Sequence, residues 1–585
     1  MHKLLKYLKP YWLGIVCIML LLLGQSIAEL FLPTLMASIV NDGIIYGAIH
    51  SVYRTEFILT TGLRMLFFAL LAGTASILAG YISPRVAAGM AKDLRRDIFT
   101  KVENFSQTEF DKFSSASLIT RCTNDVSQIQ ALANVFARTL LYAPILGIGG
   151  ITMALTRSVS MGWIIALAVI VTISIVAVII ATVMPRFNII QQLTDKLNKV
   201  SREILHGLMV VRAFGTQSHE KKRFDDTNTE LADNGLFIGR VMSVVMPSMT
   251  FVMGGTQILV IWVGGHHIAA AATIDYGMSI GDMMAFMQYA SQVLIAFMMI
   301  SFVLVMLPRA QVSAKRIVEV LETEFVITDP ENPVQFAENS LDKGKIVFDK
   351  VCFHYPNSEA NALEDISFTA LPGQTTAIIG PTGSGKSTIA QLILRFYDVS
   401  SGKVTIDGLD IRTVRQSDLR KKLGYVPQKG QLLSGTIQSN ISYGKPDATE
   451  DELSHAAKIA QASDFINEKD DKFQSEISQG GSNVSGGQRQ RLSIARALAK
   501  HPEIIVFDDS FSALDFQTDA NLRRALKEHT GDSTVIVIAQ RIGTIMNAEQ
   551  IIVLDEGKIV GKGTHDALMK TCPAYQEIAV SQNIS

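Results

Sequence analysis

The chain has 585 residues, 48% of them hydrophobic and only 18% charged, with a mean hydropathy of +0.27. Soluble globular chains carry about 25% charged residues, so the average combines one very apolar part with an ordinary one, and the length calls for at least two domains. Lys and Arg number 53 against 54 Asp and Glu, a net charge of −1; this gives no global basic field for nucleic acid, and disorder, collagen and a small disulfide scaffold are excluded.

In chain order, six long apolar stretches come first, at about 12–40, 57–84, 133–156, 160–184, 241–270 and 278–307. Each holds roughly 20 or more mostly apolar residues, enough to cross a hydrocarbon core of about 30 Å. The first is flanked by Lys3, Lys6 and Lys9 but is too long for a signal peptide and has no small-residue cleavage site, so it reads as a retained helix. Six spans put both termini on one side. The segment between the second and third spans carries Arg85, Lys92, Arg95, Arg96, Lys101, Lys112 and Arg121, and the one between the fourth and fifth is as basic; the opposite loops offer only Arg54 and Arg157. Positive charge stays on the cytoplasmic side, which predicts cytoplasmic termini and connectors in a multi-pass protein of the cell membrane.

The two connectors have amphipathic helical patterns, as in Leu193–Leu197–Val200–Ile204, and too little apolar content for separate domains. The spacing predicts membrane helices that continue past the bilayer and turn around at about 114–126 and 211–222. Residues 1–325 then form a membrane domain, 326–343 a Pro/Asn/Glu-containing linker, and 344–585 an α/β domain with a largely parallel sheet. The four cysteines, Cys17, Cys122, Cys352 and Cys572, show no metal-ligand spacing and read as reduced thiols.

Within the last domain the run TAIIG is followed by Gly380, Pro381, Thr382, Gly383, Ser384, Gly385, Lys386 and Ser387, then Thr388 and a helical pattern. This is GxxxxGK[ST] between a strand and a helix, the P-loop. Glycines let backbone N–H groups curl around phosphates, the Lys386 ammonium reaches them, and the Ser387 hydroxyl ligates Mg²⁺. Downstream, EIIVFDD is an apolar strand ending in Asp508 and Asp509, of which Asp508 fits the aspartate that organises Mg²⁺.

Between these motifs Ser485, Gly486, Gly487 and Gln488 open a helical run, RQRLSIARAL. The SGGQ loop resembles the signature of ATP-binding cassette (ABC) proteins, and six spans ahead of such a cassette resemble an ABC exporter half-transporter along nearly the whole chain. The resemblance implies a six-helix membrane fold fused to a RecA-like α/β cassette with a helical signature subdomain, with ATP and Mg²⁺ as cofactors. It implies adenine stacking on Tyr355, a Mg²⁺-touching glutamine at Gln428, and a D-loop through Asp515. It also implies two paired chains, each nucleotide held between one P-loop and the other chain's SGGQ, with the turnarounds acting as coupling helices.

Two positions depart from the family pattern. The residue after the Walker B aspartate is normally Glu, the base that polarises water, and here it is Asp509; one missing methylene withdraws the carboxylate by roughly 1–1.5 Å. Where the family has a histidine before Arg541 this chain has Gln540, which hydrogen-bonds but carries no charge and shuttles no proton. One expectation is a slow symmetric homodimer. The sharper one is the degenerate-site subunit of a bacterial heterodimeric, multidrug-type exporter: its own site binds ATP with little hydrolysis, and its SGGQ loop completes the active site of a distinct partner carrying Glu and His.

For cargo, Glu29 lies inside the first span; it either faces a cavity and a substrate or sits hydrated near the outer interface. Methionines crowd the last two spans, suiting either a promiscuous apolar surface or helix packing. The chain opens directly into its first span, so a peptidase-type bacteriocin exporter is not expected. The reading is export of a small amphipathic compound in contact with the lipid bilayer, with a lipid flippase as one alternative and an ATP-binding gating subunit as another.

Overall fold

The computed structural model describes residues 2–50, 53–271, 278–337, 342–356 and 358–582. The chain folds as two compact units, one of Met1–Glu103 with Ser115–Thr323, the other of Asn104–Ser114 with Glu324–Ser585.

The first unit contains six helices long and apolar enough to cross a membrane. Their main segments are α1 (Trp12–Ser38), α2 (Thr55–Glu103), α3 (Val126–Arg157), α4 (Gly162–His206), α5 (Gln217–Ala271) and α6 (Ile280–Glu322). Proline stands inside α1 to α5, at Pro33, Pro84, Pro144, Pro185 and Pro247, a pattern tolerated where neighbouring helices re-satisfy the freed backbone groups. Because lipid is as apolar as leucine, these helices associate by close packing, and small residues let them approach. Gly149 faces the Leu30 side chain and Gly150 faces Val293, each so closely that an added Cβ would clash. Around them Leu30, Leu146, Met161, Val260, Phe286, Tyr289 and Val293 form a buried cluster. A second cluster joins Ile18 and Leu22 of α1 to Ala79 and Val86 of α2. The most extensive pairings are α3 with α6, α1 with α2, and α4 with α5.

Both turnarounds lie earlier than the sequence expectation of 114–126 and 211–222. After α2 the chain turns through a short helix, Gln107–Lys112, and by Ser115 it is helical again and runs on into α3. The stop is set by a capping box at Ser106, whose backbone N–H donates to Glu109 Oε2 at 2.7 Å, a local signal stronger than the periodic pattern around it. After α4, Gly207 precedes a short helix, Leu208–Ala213, and Gly215 at φ +66° ends it before α5.

In the second unit the strands are β1 (Ile346–Phe353), β2 (Leu363–Ala370), β3 (Thr375–Ile379), β4 (Ser401–Ile406), β5 (Leu409–Asp410), β6 (Leu423–Val426), β7 (Gly435–Thr436), β8 (Glu476–Ile477), β9 (Ile504–Asp508), β10 (Thr534–Ile538), β11 (Gln550–Asp555) and β12 (Lys558–Gly563). The central sheet has the order β12-β11-β3-β10-β9-β6, parallel except for β12. Its inner strands are largely continuous apolar runs because both faces are covered; all five residues of β9 are buried. A separate antiparallel sheet, β2-β1-β4-β5, was not anticipated.

Much of the expected linker 326–343 lies packed on the domain, and residues 338–341 of it lie outside the described residues. Ile327 is buried, Val334 donates its N–H to Thr413 at 2.9 Å, and Asp329 accepts from the Gln416 N–H at 2.9 Å. Proline and charge in this stretch mark an extended segment lying on the domain. The loop 104–114 belongs to the same unit. Phe105 rings contact Phe110, Phe113 and Phe325, Glu109 accepts from the Val326 N–H at 2.6 Å, and the Tyr397 hydroxyl donates to Asp111 at 2.6 Å.

Candidate functional site

Parallel strands in register bring their carboxyl ends to one edge, where an open α/β sheet binds ligands. Ile538 of β10 pairs with Asp508 of β9 on one side and with Ile378 of β3 on the other, and Val426 of β6 lies beside Phe507. The P-loop leaves β3, Asp509 leaves β9, Gln540 follows β10 by two residues, and Gln428 follows β6 by two. Residues far apart in sequence therefore meet at one place.

The P-loop ends in α7 (Lys386–Ile393), and its curl depends on glycine. Gly385 has φ +93°, and a Cβ there would meet the Ala362 carbonyl at 2.7 Å; a Cβ on Gly380 would meet the Leu554 carbonyl at 2.0 Å. Lys386 is buried, its ammonium donating to the carbonyls of Gly380 at 2.9 Å and Pro381 at 2.6 Å. Burial pulls its pKa below the ordinary lysine value, against the opposing charges of Asp509 and Asp508. Thr382 and Gly383 are exposed on the loop, with Gly383 at φ +88°.

Ser387 Oγ donates to Asp508 Oδ1 at 2.9 Å. The Asp508 carboxyl is pushed up by burial, partly offset by the Ser387 hydrogen bond, with the charge of Asp509 adding to the rise. Tyr425 stands near Asp508 from β6, and burial together with the charge of Asp508 pushes its hydroxyl pKa up; the sequence reading did not single it out. A hydroxyl and a carboxylate already in contact, beside a buried ammonium and a glycine cradle, fit a phosphate–Mg²⁺ group.

Asp509 takes a left-handed backbone, φ +46°, its N–H donating to the Ile538 carbonyl at 2.9 Å. Oδ2 accepts from Gln428 Nε2 at 3.1 Å and from Gln540 Nε2 at 2.9 Å. Burial raises the Asp509 pKa, with the Gln428 hydrogen bond opposing. Tyr355 lies on the other flank of α7, its hydroxyl 2.9 Å from Thr388 Oγ1 and 3.1 Å from Gln391 Oε1. Its ring stands edge-on to Phe353 and to Tyr397, so the Tyr397 that holds Asp111 also borders Tyr355.

Ser485 to Gln488 are not joined to this group by any hydrogen bond among the described residues. Ser485 caps α8 (Gly486–Leu498), accepting from the Gln488 N–H at 3.2 Å while the Gln488 side chain accepts from the Ser485 N–H at 3.0 Å. Ser485 and Gly486 are exposed, and Gly487 backs onto Ala513 and Leu514. Asp515 is likewise exposed, capping α9 (Phe516–His529) by accepting from the Thr518 N–H at 2.9 Å. Glu29 belongs to the other unit, half-buried on α1.

Two families match the chain: "ABC transporter transmembrane region" over residues 15–297 and "ABC transporter" over residues 363–512. An uncharacterized ABC transporter ATP-binding protein of Mycobacterium tuberculosis is 40% identical, covering 99% of this chain and 98% of its own. A Bacillus subtilis protein named as a "Probable multidrug resistance ABC transporter ATP-binding/permease protein" is 29% identical over 99% of this chain and 96% of its own. An ATP-dependent lipid A-core flippase of Aliivibrio fischeri is 30% identical over 98% and 96%. The structure of a bacterial Atm1-family ABC exporter with ATP bound shares the fold, with a TM-score of 0.79 at 24% identity over 99% of this chain and 100% of that one. A transmembrane region and an ATP-binding cassette in one polypeptide, with P-loop and acidic strand end assembled, make this chain a member of the ABC transporter family in the half-transporter layout of its exporters.

Proposed function

We propose that this chain is the degenerate-site subunit of a heterodimeric ABC exporter, pairing with a second, distinct half-transporter to move amphipathic compounds outward across the cell membrane. In its own site the P-loop N–H groups and Lys386 bind phosphates, Tyr355 takes the adenine, and Ser387, Asp508 and Gln428 hold Mg²⁺. That ion neutralises phosphate charge when bound. Ser485 and Gly486, which are exposed, act with Gly487 and Gln488 to complete the partner's nucleotide site, with Asp515 in the D-loop.

The observation that carries the reading is the state of Asp509. It is one methylene short of the usual base, a misplacement of about 1–1.5 Å that costs on the order of 10²-fold in rate. Two amides already donate to one of its oxygens, and neither Gln428 nor Gln540 accepts a proton from water. Exposed apolar residues on the Leu208–Ala213 turn, among them Met209 at 82% and Phe214 just after it at 78%, favour docking of that turn on another chain. The basic connectors favour cytoplasmic cassettes.

The test is hydrolysis by the assembled complex. Asp509→Glu combined with Gln540→His should raise turnover at this site by about 10- to 100-fold; unchanged turnover sinks the degenerate-site reading. A lipid flippase is the second reading, favoured by the name of the Aliivibrio fischeri relative. ATP-driven movement of a labelled lipid, with no movement of non-lipid amphiphiles, selects it. A gating subunit needs no substrate-stimulated ATPase, and observing that stimulation removes it.

A further inference from the structure

Where α1, α3 and α6 meet, polar groups gather inside the membrane-spanning bundle. On α1, Gln25 Nε2 donates to Glu29 Oε1 at 2.9 Å. From α3, the Tyr142 hydroxyl donates to Glu29 Oε2 at 2.5 Å. From α6, Gln292 Nε2 donates to the Glu29 backbone carbonyl at 3.2 Å, and one turn away the Tyr289 hydroxyl donates to the Leu30 carbonyl at 2.9 Å, fixing α6 against α1. A carbonyl only accepts, so it is the Gln292 nitrogen that meets the Glu29 carbonyl, and Oε1 is left over as an acceptor. That oxygen is buried and has no hydrogen-bond partner.

The cluster is not at a membrane interface. The bundle end is marked by the Arg157–Asp282 ion pair at 3.0 Å. At 1.5 Å rise per residue, Tyr142 lies about 22 Å along α3 from Arg157 and Gln292 about 15 Å along α6 from Asp282. The partners of Glu29 therefore lie about 15–22 Å in from that bundle end. Its side-chain partners are neutral donors, and among the described residues no Lys, Arg or His pairs with it. An acid without a cation in that setting is costly unless function retains it. Two of its lone-pair sites remain for a further donor.

We propose that Glu29, Tyr142 and Gln292 form the binding site for a protonated amine, amidine or guanidine on the transported compound. The proposal rests on the exporter reading and names its substrate class. Glu29 supplies the charge, Tyr142 and Gln25 fix the orientation of its carboxylate, and Gln292 Oε1 accepts a second N–H of the same group. A quaternary ammonium satisfies the charge but leaves Gln292 without a donor, so it binds less well.

The test uses the complex purified from its source cells and reconstituted in vesicles, with ATP-driven uptake of three probes sharing one dodecyl chain: dodecylguanidinium, dodecyltrimethylammonium and neutral N-dodecylacetamide. Dodecylguanidinium should half-saturate at the lowest concentration. Glu29→Gln should raise that concentration tenfold or more, Gln292→Leu about threefold, and Glu29→Asp little, while the neutral probe shifts by less than twofold in each. The proposal is overturned if Glu29→Gln leaves dodecylguanidinium within twofold, or weakens all three probes alike as a packing defect does. Uptake of the neutral probe with dodecylguanidinium indifferent to Glu29 ends the site and spares the exporter; no ATP-driven uptake of any probe ends both.

Discussion

Gln540 holds Asp509: its Nε2 lies 2.9 Å from Oδ2, the oxygen that Gln428 Nε2 also reaches at 3.1 Å. The two positions that depart from the family pattern are thus one hydrogen-bonded unit. Gln540→Ala removes one donor without restoring a base, so the complex should keep its nucleotide affinity and gain less than about threefold in hydrolysis. The paired Asp509→Glu, Gln540→His change should do far more than either single change, a non-additivity expected of groups in direct contact. Single-turnover hydrolysis in the assembled complex checks both.

Lys386 is the buried cation of the cradle. Lys386→Ala removes charge-assisted hydrogen bonds worth about 1.5–3 kcal/mol each, so nucleotide affinity at this site should fall roughly tenfold to a hundredfold. Fluorescent-nucleotide binding, with and without chelation of Mg²⁺, reads the loss. Chelation should weaken wild type as well, because Ser387 and Asp508 are already aligned at 2.9 Å.

How much of this was legible in the sequence depended on distance along the chain. The P-loop and the Asp508 strand end are local patterns whose flanks announce them, and the six spans are long enough to be read from composition. Gln540 bonding Asp509 was not legible, because it needs β9 and β10 side by side in register. The first turn was displaced because the capping box Ser106–Glu109 outweighs the helical periodicity around it. Nothing local pairs Tyr397 with Asp111, which lie 286 residues apart. The antiparallel sheet β2-β1-β4-β5 was missed because β4 returns to pair with β1 only after β3 and α7 have intervened in the chain.

The Tyr397 hydroxyl bonds Asp111 while its ring borders Tyr355, so one side chain touches both the 104–114 loop and the proposed adenine platform. Tyr397→Phe keeps the ring contacts and deletes a hydrogen bond of about 1 kcal/mol. Nucleotide affinity should stay within twofold, and substrate stimulation of the ATPase should fall severalfold. Equal losses in both would assign Tyr397 to nucleotide binding alone.

Asp410 supplies an acid-sensitive contact. Burial pushes its carboxyl up, but the hydrogen bonds from Arg412, one at 2.6 Å, outweigh that and hold it below the ordinary aspartate value. A depressed folded-state pKa contributes stability above the unfolded value, about 3.9, and that contribution is lost as pH falls through the folded value. Asp410→Asn should therefore lower the melting temperature near pH 7 and leave a smaller difference from wild type below about pH 4.

The central claim, an asymmetric pair, is tested most directly by native mass spectrometry of the complex gently extracted from source membranes through a tag on this chain. The account predicts one copy of this chain with one distinct half-transporter, whose sequence has Glu after its Walker B aspartate and His at the position matching Gln540. Two copies of this chain and nothing else would contradict it, and Asp509 would then be the working base of a symmetric exporter.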